Sequence, residues 1–263
     1  MAQYWLDEQT SVYVREINPA GEIPMLFCHG TGGNGCHWSY QLKAFKKDSR
    51  LRLLFPDLPG HGRSSGEPRE SIASYREIIC KLVERMQLPK FFLVGHSMGG
   101  AITLDYARLY PHHLYGMVLL GAAARVSISS EIINIFRRGE AFTGLTNLAY
   151  HHDSPPEMLK KCRQELMQVP PHVFAADFTA CDRFDLTQAL PEINIPAVVI
   201  AGSGDRMVPL EWGYHLYQKL PQAELKVVER AGHMMMLEQP EQVNRFILDH
   251  VSRISYYELT TPY

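Results

Sequence analysis

Residues 91–101 read FFLVGHSMGGA. Four apolar residues, Phe91 to Val94, run straight into a serine flanked by glycines, and GAITLDYARLY continues with helical spacing. The short apolar run fits a buried strand, and the segment beyond it a helix. Ser97 therefore stands where a strand turns into a helix. Gly95-His96-Ser97-Met98-Gly99 fits G-x-S-x-G, a pattern that means little alone and a great deal in that context. Such a turn holds the hydroxyl out at the carboxyl end of the sheet, and side chains beside it would clash, which accounts for the glycines. The helix that begins there also aims its free amides and positive dipole end at any oxyanion formed nearby. The plainer alternative is a serine that caps a helix after a glycine turn.

Working outward, further apolar runs recur at Pro24–Cys28, Arg50–Phe55, Met117–Leu120, Ala197–Ala201 and Leu225–Val228. Most are near-continuous rather than alternating, as in parallel strands covered on both faces. Helical segments separate them. One is expected to open at Ser74, with Ser74 and Glu77 as a capping box and Ile78, Ile79, Leu82, Val83 and Met86 on one stripe. The alternation predicts a mostly parallel α/β sheet with helices on both faces. Between Arg125 and Leu190 no strand is legible, although one crossover helix needs only about a dozen residues. Helices are expected there over Glu131–Arg138, from a capping box at Ser154-Pro155-Pro156-Glu157, and after Pro170-Pro171. The chain thus divides into a core of residues 1–124 and 191–263 and a helical cap insertion of residues 125–190. Tyr256–Tyr263 receives no element.

The 263 residues suffice for one large α/β domain or a domain with an insertion. Apolar residues at 46% and charged residues at 21% are ordinary globular usage. A net charge of −2 gives no basic surface for nucleic acid. The five cysteines, Cys28, Cys36, Cys80, Cys162 and Cys181, show no C-x-x-C pairing, so neither a disulfide framework nor a thiolate metal site is expected, and a cytoplasmic location is. The opening MAQYWLDEQTS lacks a secretory pattern, and no apolar run is long enough to span a bilayer.

A serine needs a general base within hydrogen-bond reach. Of twelve histidines, His151 and His152 sit in a polar HHDS turn, His112 and His113 follow a helix end, and His250 lies in a terminal helix. His233, in ERAGHMMM, follows the last strand and reaches the same sheet edge as Ser97, where ligands bind in open parallel sheets. An acid must then orient the imidazole. Asp205, in AVVIAGSGDRMVP, lies just past the preceding strand at that edge. Asp57 in FPDLPGHGRS reads as a turn aspartate, and Glu238 lies too near His233 along the chain. Gly30–Gly35 lacks a phosphate-binding pattern, and His233-Met234-Met235-Met236 reads as adaptable pocket wall rather than a metal site. No metal and no cofactor are expected.

The segments HGTGGNGCHW, PDLPGHGRSS, GHSMGG, GSGDRMVP and AGHMMMLEQPEQV follow one another in an order that resembles the capped α/β-hydrolase family over nearly the whole chain. AADFTACDRFDL is similar to cap-to-core segments of its esterases and lactonases. The resemblance implies a triad of Ser97, Asp205 and His233. It also implies an oxyanion hole built from the backbone amides of Thr31 and Met98, with His29 bracing the loop of Thr31. The activity implied is serine esterase chemistry, a carboxylesterase acting on a small apolar or aromatic ester. The rivals are a lactonase, a carbon–carbon hydrolase of diketone acids, a non-catalytic ligand-binding protein of the same fold, and a cofactor-free lyase or oxygenase. The cap is expected to supply an apolar pocket that favours medium-length acyl groups over acetyl. Its candidate walls are Phe136, Phe142, Leu145, Leu148, Phe174 and Phe178, with Trp38 from the core. Arg125, Arg137 and Arg138 read as solvated rather than as partners of a substrate carboxylate.

Overall fold

The apolar runs pair side by side in the computed structural model, which describes residues 2–142 and 144–260. The strands are β1 (Ala2–Trp5), β2 (Ser11–Ile17), β3 (Ile23–Cys28), β4 (Leu51–Pro56), β5 (Phe91–His96), β6 (Leu114–Leu120), β7 (Ala197–Gly202) and β8 (Ala223–Val228). They form one eight-stranded sheet in the order β1-β2-β4-β3-β5-β6-β7-β8. From β4 to β8 every neighbouring pair is parallel, while β1 and β2 join one edge antiparallel. The expected sheet is present, with this antiparallel edge as an addition. β1 alternates between half-buried and exposed residues, so it carries no continuous apolar run to mark it.

In the central strands alternate side chains enter opposite layers, which is why the runs are apolar throughout. Leu26 and Cys28 of β3 and Leu93 of β5 face one layer, while Met25, Phe27, Phe92 and Val94 face the other. The second layer includes α1 (Ser39–Phe45), which contributes Leu42 and Phe45. The first is covered by α2 (Ile72–Arg85) and α3 (Met98–Leu109). The cap of α2 differs from expectation. Ser71 is the N-cap and accepts from the Ser74 amide at 3.1 Å, one turn earlier than a Ser74 cap, because Ile72 and Tyr75 extend the buried stripe toward the N-terminus.

Among the described residues, four α-helices and a short 3-10 helix (Thr187–Glu192) lie between β6 and β7: α4 (Ser130–Arg137), α5 (Leu145–Ala149), α6 (Pro156–Leu166) and α7 (Pro171–Asp182). Ile133, Phe136, Leu145, Phe174 and Phe178 form a separate apolar cluster there, whereas Leu186 and Leu190 pack into the layer under the sheet. α6 has no side-chain cap, since the Ser154 hydroxyl donates to Glu238 Oε1 at 2.6 Å instead. The chain ends with α8 (Leu210–Lys219), α9 (Met235–Glu238) and α10 (Pro240–Thr260). The last runs through Tyr256–Thr260, left unassigned by the sequence, and 261–263 lie outside the described residues. Among the described residues no helix is long and apolar enough to cross a membrane.

The β5–α3 corner depends on close backbone approach. A Cβ on Gly99 would overlap the Cys28 carbonyl and sit 2.7 Å from that of His29, and one on Gly95 would overlap the Gly99 carbonyl. These obstacles are backbone atoms, which cannot swing aside as a side chain would. Gly99→Ala is therefore expected to cost roughly 1–3 kcal/mol or more, as overpacking does. Urea unfolding reads this as a lowered midpoint at unchanged slope; an unchanged midpoint would show that the corner has slack.

Candidate active site

Ser97 closes β5 and precedes α3 with φ 54° and ψ −117°. A non-glycine residue held at positive φ costs on the order of 1–3 kcal/mol and persists only where its surroundings enforce it. Here the Ser97 amide donates to the Leu120 carbonyl at 2.9 Å, and the Ser97 carbonyl accepts from Gly100 at 2.8 Å. In the loop after β8, His233 Nδ1 donates to Asp205 Oδ2 at 2.8 Å, with both side chains buried. The carboxylate only accepts, so Nδ1 carries a proton, and the neutral tautomer this contact selects has its lone pair on Nε2. Asp205 is itself held, because its Oδ1 accepts from the amides of Met207 at 2.9 Å and Val208 at 2.8 Å. His96, the residue before the serine, donates from Nε2 to the His233 carbonyl at 2.9 Å. Burial, then the nearby His233, holds His96 well below the usual histidine range, so it is neutral. Ser97, His96 and His233 line one cavity of about 760 Å³.

The rejected acids are engaged elsewhere. Asp57 Oδ1 accepts from Gly35 at 2.8 Å and Oδ2 from Arg63 at 2.9 Å, which makes it the turn brace expected. Glu238 accepts from the His151 amide at 2.7 Å and, through its other oxygen, from the Gly232 amide at 2.8 Å. Together with Ser154, it staples the segment before α6 to the loop that carries His233. Thr31 and Met98 meet Ser97 around a second, smaller cavity of about 50 Å³. His29 takes the Leu58 amide on Nε2 at 3.0 Å and donates from Nδ1 to the Gly30 carbonyl at 2.9 Å, bracing the loop of Thr31. Its burial, then His61, keeps it neutral.

The sequence profile of the alpha/beta hydrolase family matches residues 25–246. This chain belongs to that family. It is 30% identical over 254 residues to the dihydrolipoyllysine-residue acetyltransferase component of an acetoin cleaving system from Pseudomonas putida, covering 89% of this chain and 64% of that protein. The chain thus spans just under two thirds of that relative's length. A 2-hydroxy-6-oxononadienedioate/2-hydroxy-6-oxononatrienedioate hydrolase from a Pseudomonas species is 26% identical, with 92% of each chain covered. Among solved structures, a thermophilic esterase from Thermogutta terrifontis with malate bound superposes with a TM-score of 0.83 at 26% identity, covering 93% of this chain and 94% of that one.

Within this hydrolase-family site, Leu145 and Phe178 of the expected pocket walls line the large cavity. Phe136 and Phe174 instead stack on each other with centroids 4.9 Å apart, and Trp38 is buried against Phe27. Helix α6 supplies walls that the sequence did not single out, among them Met158, Lys161 and Glu165. Arg125 and Arg138 pair with Asp185 and Glu140, and Arg137 donates to Thr179; none of the three lines the cavity. His151, His152 and Asp153 are close enough together to ligate a cation. However, Arg230 lies 3.2 Å from Asp153 Oδ2, and His151 Nδ1 accepts from the Asp153 amide. A cation there would face an existing positive charge and an occupied lone pair.

Asp177 of α7 is the functional neighbour that sequence reasoning missed. Fully buried, it accepts from the Gly32 amide at 2.8 Å, His61 Nε2 at 2.9 Å and the Tyr75 hydroxyl at 2.6 Å. His61 Nδ1 also faces an acceptor, the Pro59 carbonyl at 3.0 Å, so both ring nitrogens carry protons. Burial pulls its pKa down, but the Asp177 carboxylate outweighs burial and holds it above the ordinary value. The pair locks the residue next to Thr31 onto α7. Its signal in the sequence was a single aspartate inside the apolar run VFAADF.

Because the folded pKa of His61 is raised, the pair's stabilisation is fully present below the unfolded value of ~6.5 and declines as pH rises through the higher folded value. Asp177→Asn should cost about 3–5 kcal/mol near pH 6, the price of breaking a buried ion pair. The deficit should shrink at alkaline pH. Urea unfolding of both proteins at the two pH values measures it, and an equal deficit at each would mean that His61 is uncharged.

Proposed function

We propose that this protein is a serine hydrolase of carboxylic esters, with Ser97 as nucleophile, His233 as general base and acid, and Asp205 as the orienting carboxylate. The observation that carries the reading is the 2.8 Å bond from His233 Nδ1 to Asp205, made at the wall of the cavity that Ser97 also lines. It sets the tautomer a general base needs. Ser97 Oγ adds to the carbonyl carbon as its proton passes to His233 Nε2. The carbonyl oxygen becomes an oxyanion, received by the amides of Thr31 and Met98, and preorganised donors of this kind are worth about 2.7–4 kcal/mol each. Collapse breaks the carbon–oxygen bond to the alcohol, which leaves with the proton from His233. Water then repeats the sequence on the acyl-enzyme, giving the acid and restoring Ser97. The helices of the insertion act as a cap that closes over this chemistry. The five cysteines are unpaired, which suits a reducing compartment such as the cytoplasm.

A lactone is opened by the same steps. A diketone acid is less well served. Among the described residues lining the cavity, Lys161 is the one lysine or arginine, and it is mostly exposed and 3.9 Å from Glu165. The thiols of Cys28 and Cys181 are pushed up to about 12 by burial, which removes them as competing nucleophiles at neutral pH.

Asp205→Asn keeps the shape of the side chain while removing its charge and favouring the wrong tautomer of His233. The same change in an analogous triad lowered kcat by about 10⁴. A loss of at least roughly a hundredfold is expected with p-nitrophenyl esters, with circular dichroism unchanged. Asp57→Asn, altering a turn brace, should cost far less in folded protein. Near-normal kcat in Asp205→Asn would remove this residue from the mechanism.

A further inference from the structure

Ser97 stands between two cavities of unequal size and character. The larger, about 760 Å³, takes in His233 and extends beneath α5 and α6. The smaller, about 50 Å³, lies beside Met98 and is walled by Val126, Ile128, Phe178, Phe184 and Val208. Ser97 and Thr31 border both, whereas His233 borders the larger alone.

That division assigns the two halves of a substrate. The tetrahedral carbon carries four groups: Ser97 Oγ, the oxyanion, the leaving oxygen and the acyl substituent. The leaving oxygen must come within hydrogen-bond reach of His233 to receive its proton. The alcohol portion therefore projects into the cavity that His233 lines. The acyl substituent points away from the imidazole, toward the chamber beside Met98. We infer that this protein is selective for short-acyl esters of bulky alcohols or phenols, the acyl group entering the small apolar chamber and the alcohol the large cavity. The inference rests on the serine-hydrolase reading above, and it reverses the expectation that the insertion houses a medium-length acyl chain.

The sizes set the limits. The small chamber, about 50 Å³ against about 760 Å³ for the large cavity, suits only a short chain. Acetyl, propanoyl and butanoyl chains fit, while an octanoyl chain does not. The large cavity lies within the ~300–1,000 Å³ typical of small-molecule sites. Tyr150, Met158 and Leu237 offer an apolar wall to the body of the alcohol, and Lys161 and Glu165 place charged groups in the same lining. An alcohol with an apolar body and a polar substituent matches that wall.

Two ester series test this on the intact protein. With p-nitrophenol as the constant leaving group, kcat/KM should rise by up to about fourfold per methylene from acetate to butanoate. It should then fall at least tenfold by octanoate. With butanoate as the constant acid, primary alkyl esters from methyl to decyl should improve along the series, since leaving-group acidity barely changes. Val126→Ala and Phe184→Ala, which widen the small chamber, should each raise octanoate relative to butanoate by about tenfold; the first covers the case in which the second fails to fold. A profile that climbs steadily to octanoate and ignores the alcohol would place the acyl chain in the large cavity and overturn the inference, leaving the hydrolase reading intact. Absence of hydrolysis in both series would overturn the hydrolase reading and this inference with it.

Discussion

The corner at Ser97 constrains everything around it. A serine at φ 54° is unfavourable for an L-residue, and it is held there because α3 presses its first turn against the end of β3. Gly99 leaves the Cys28 and His29 carbonyls room to approach, and Gly95 does the same for Gly99. The strand end that receives α3 continues directly into the Thr31 loop. The close approach that strains the serine therefore also sets the spacing between it and that loop.

Two polar tethers carry this order into the helices between β6 and β7. At one end Asp177 gathers the Gly32 amide, His61 and Tyr75 about a single buried carboxylate. At the other, Glu238 gathers the amides of His151 and Gly232 and the hydroxyl of Ser154. Each joins this helical segment to a loop of the candidate site, the first beside Thr31 and the second beside His233. A buried carboxylate with its hydrogen bonds made, as Asp177 has, rigidifies what it connects, and a half-satisfied one would be costly; Glu238 is half-buried. Neutral His29 and His96 add further restraint without adding charge near His233.

What could be read from the sequence followed from how local the signal was. Ser97, Asp205 and His233 each sit immediately beyond an apolar strand, so a short window reveals both the residue and the sheet edge it occupies. The inner parallel strands were visible because both faces are buried, and β8, half-buried along most of its length, because Leu225, Val227 and Val228 still form a short apolar run. β1 and β2 were not: β1 is an edge strand with exposed positions, and β2, SVYVREI, interrupts its apolar residues with polar ones at half-buried positions. Asp177 escaped notice for a different reason: the apolar run around it hints at burial, but its partners are 102, 116 and 145 residues away and nothing local names them. The capping errors at Ser74 and Ser154 share a cause as well. A serine three residues before a glutamate is only a local pattern: the Ser74 hydroxyl accepts from that of Ser71, the actual cap, and the Ser154 hydroxyl donates to the distant Glu238.

The central claim is that Ser97 is made nucleophilic by His233 within this fold. Reaction with a fluorophosphonate tests it most directly, because the reagent captures an activated serine without requiring knowledge of the substrate. Intact-mass analysis and peptide mapping should find one adduct, on Ser97, and none on the Ser97→Ala protein. An unlabelled wild-type chain, or equal labelling of Ser97→Ala, would contradict the account.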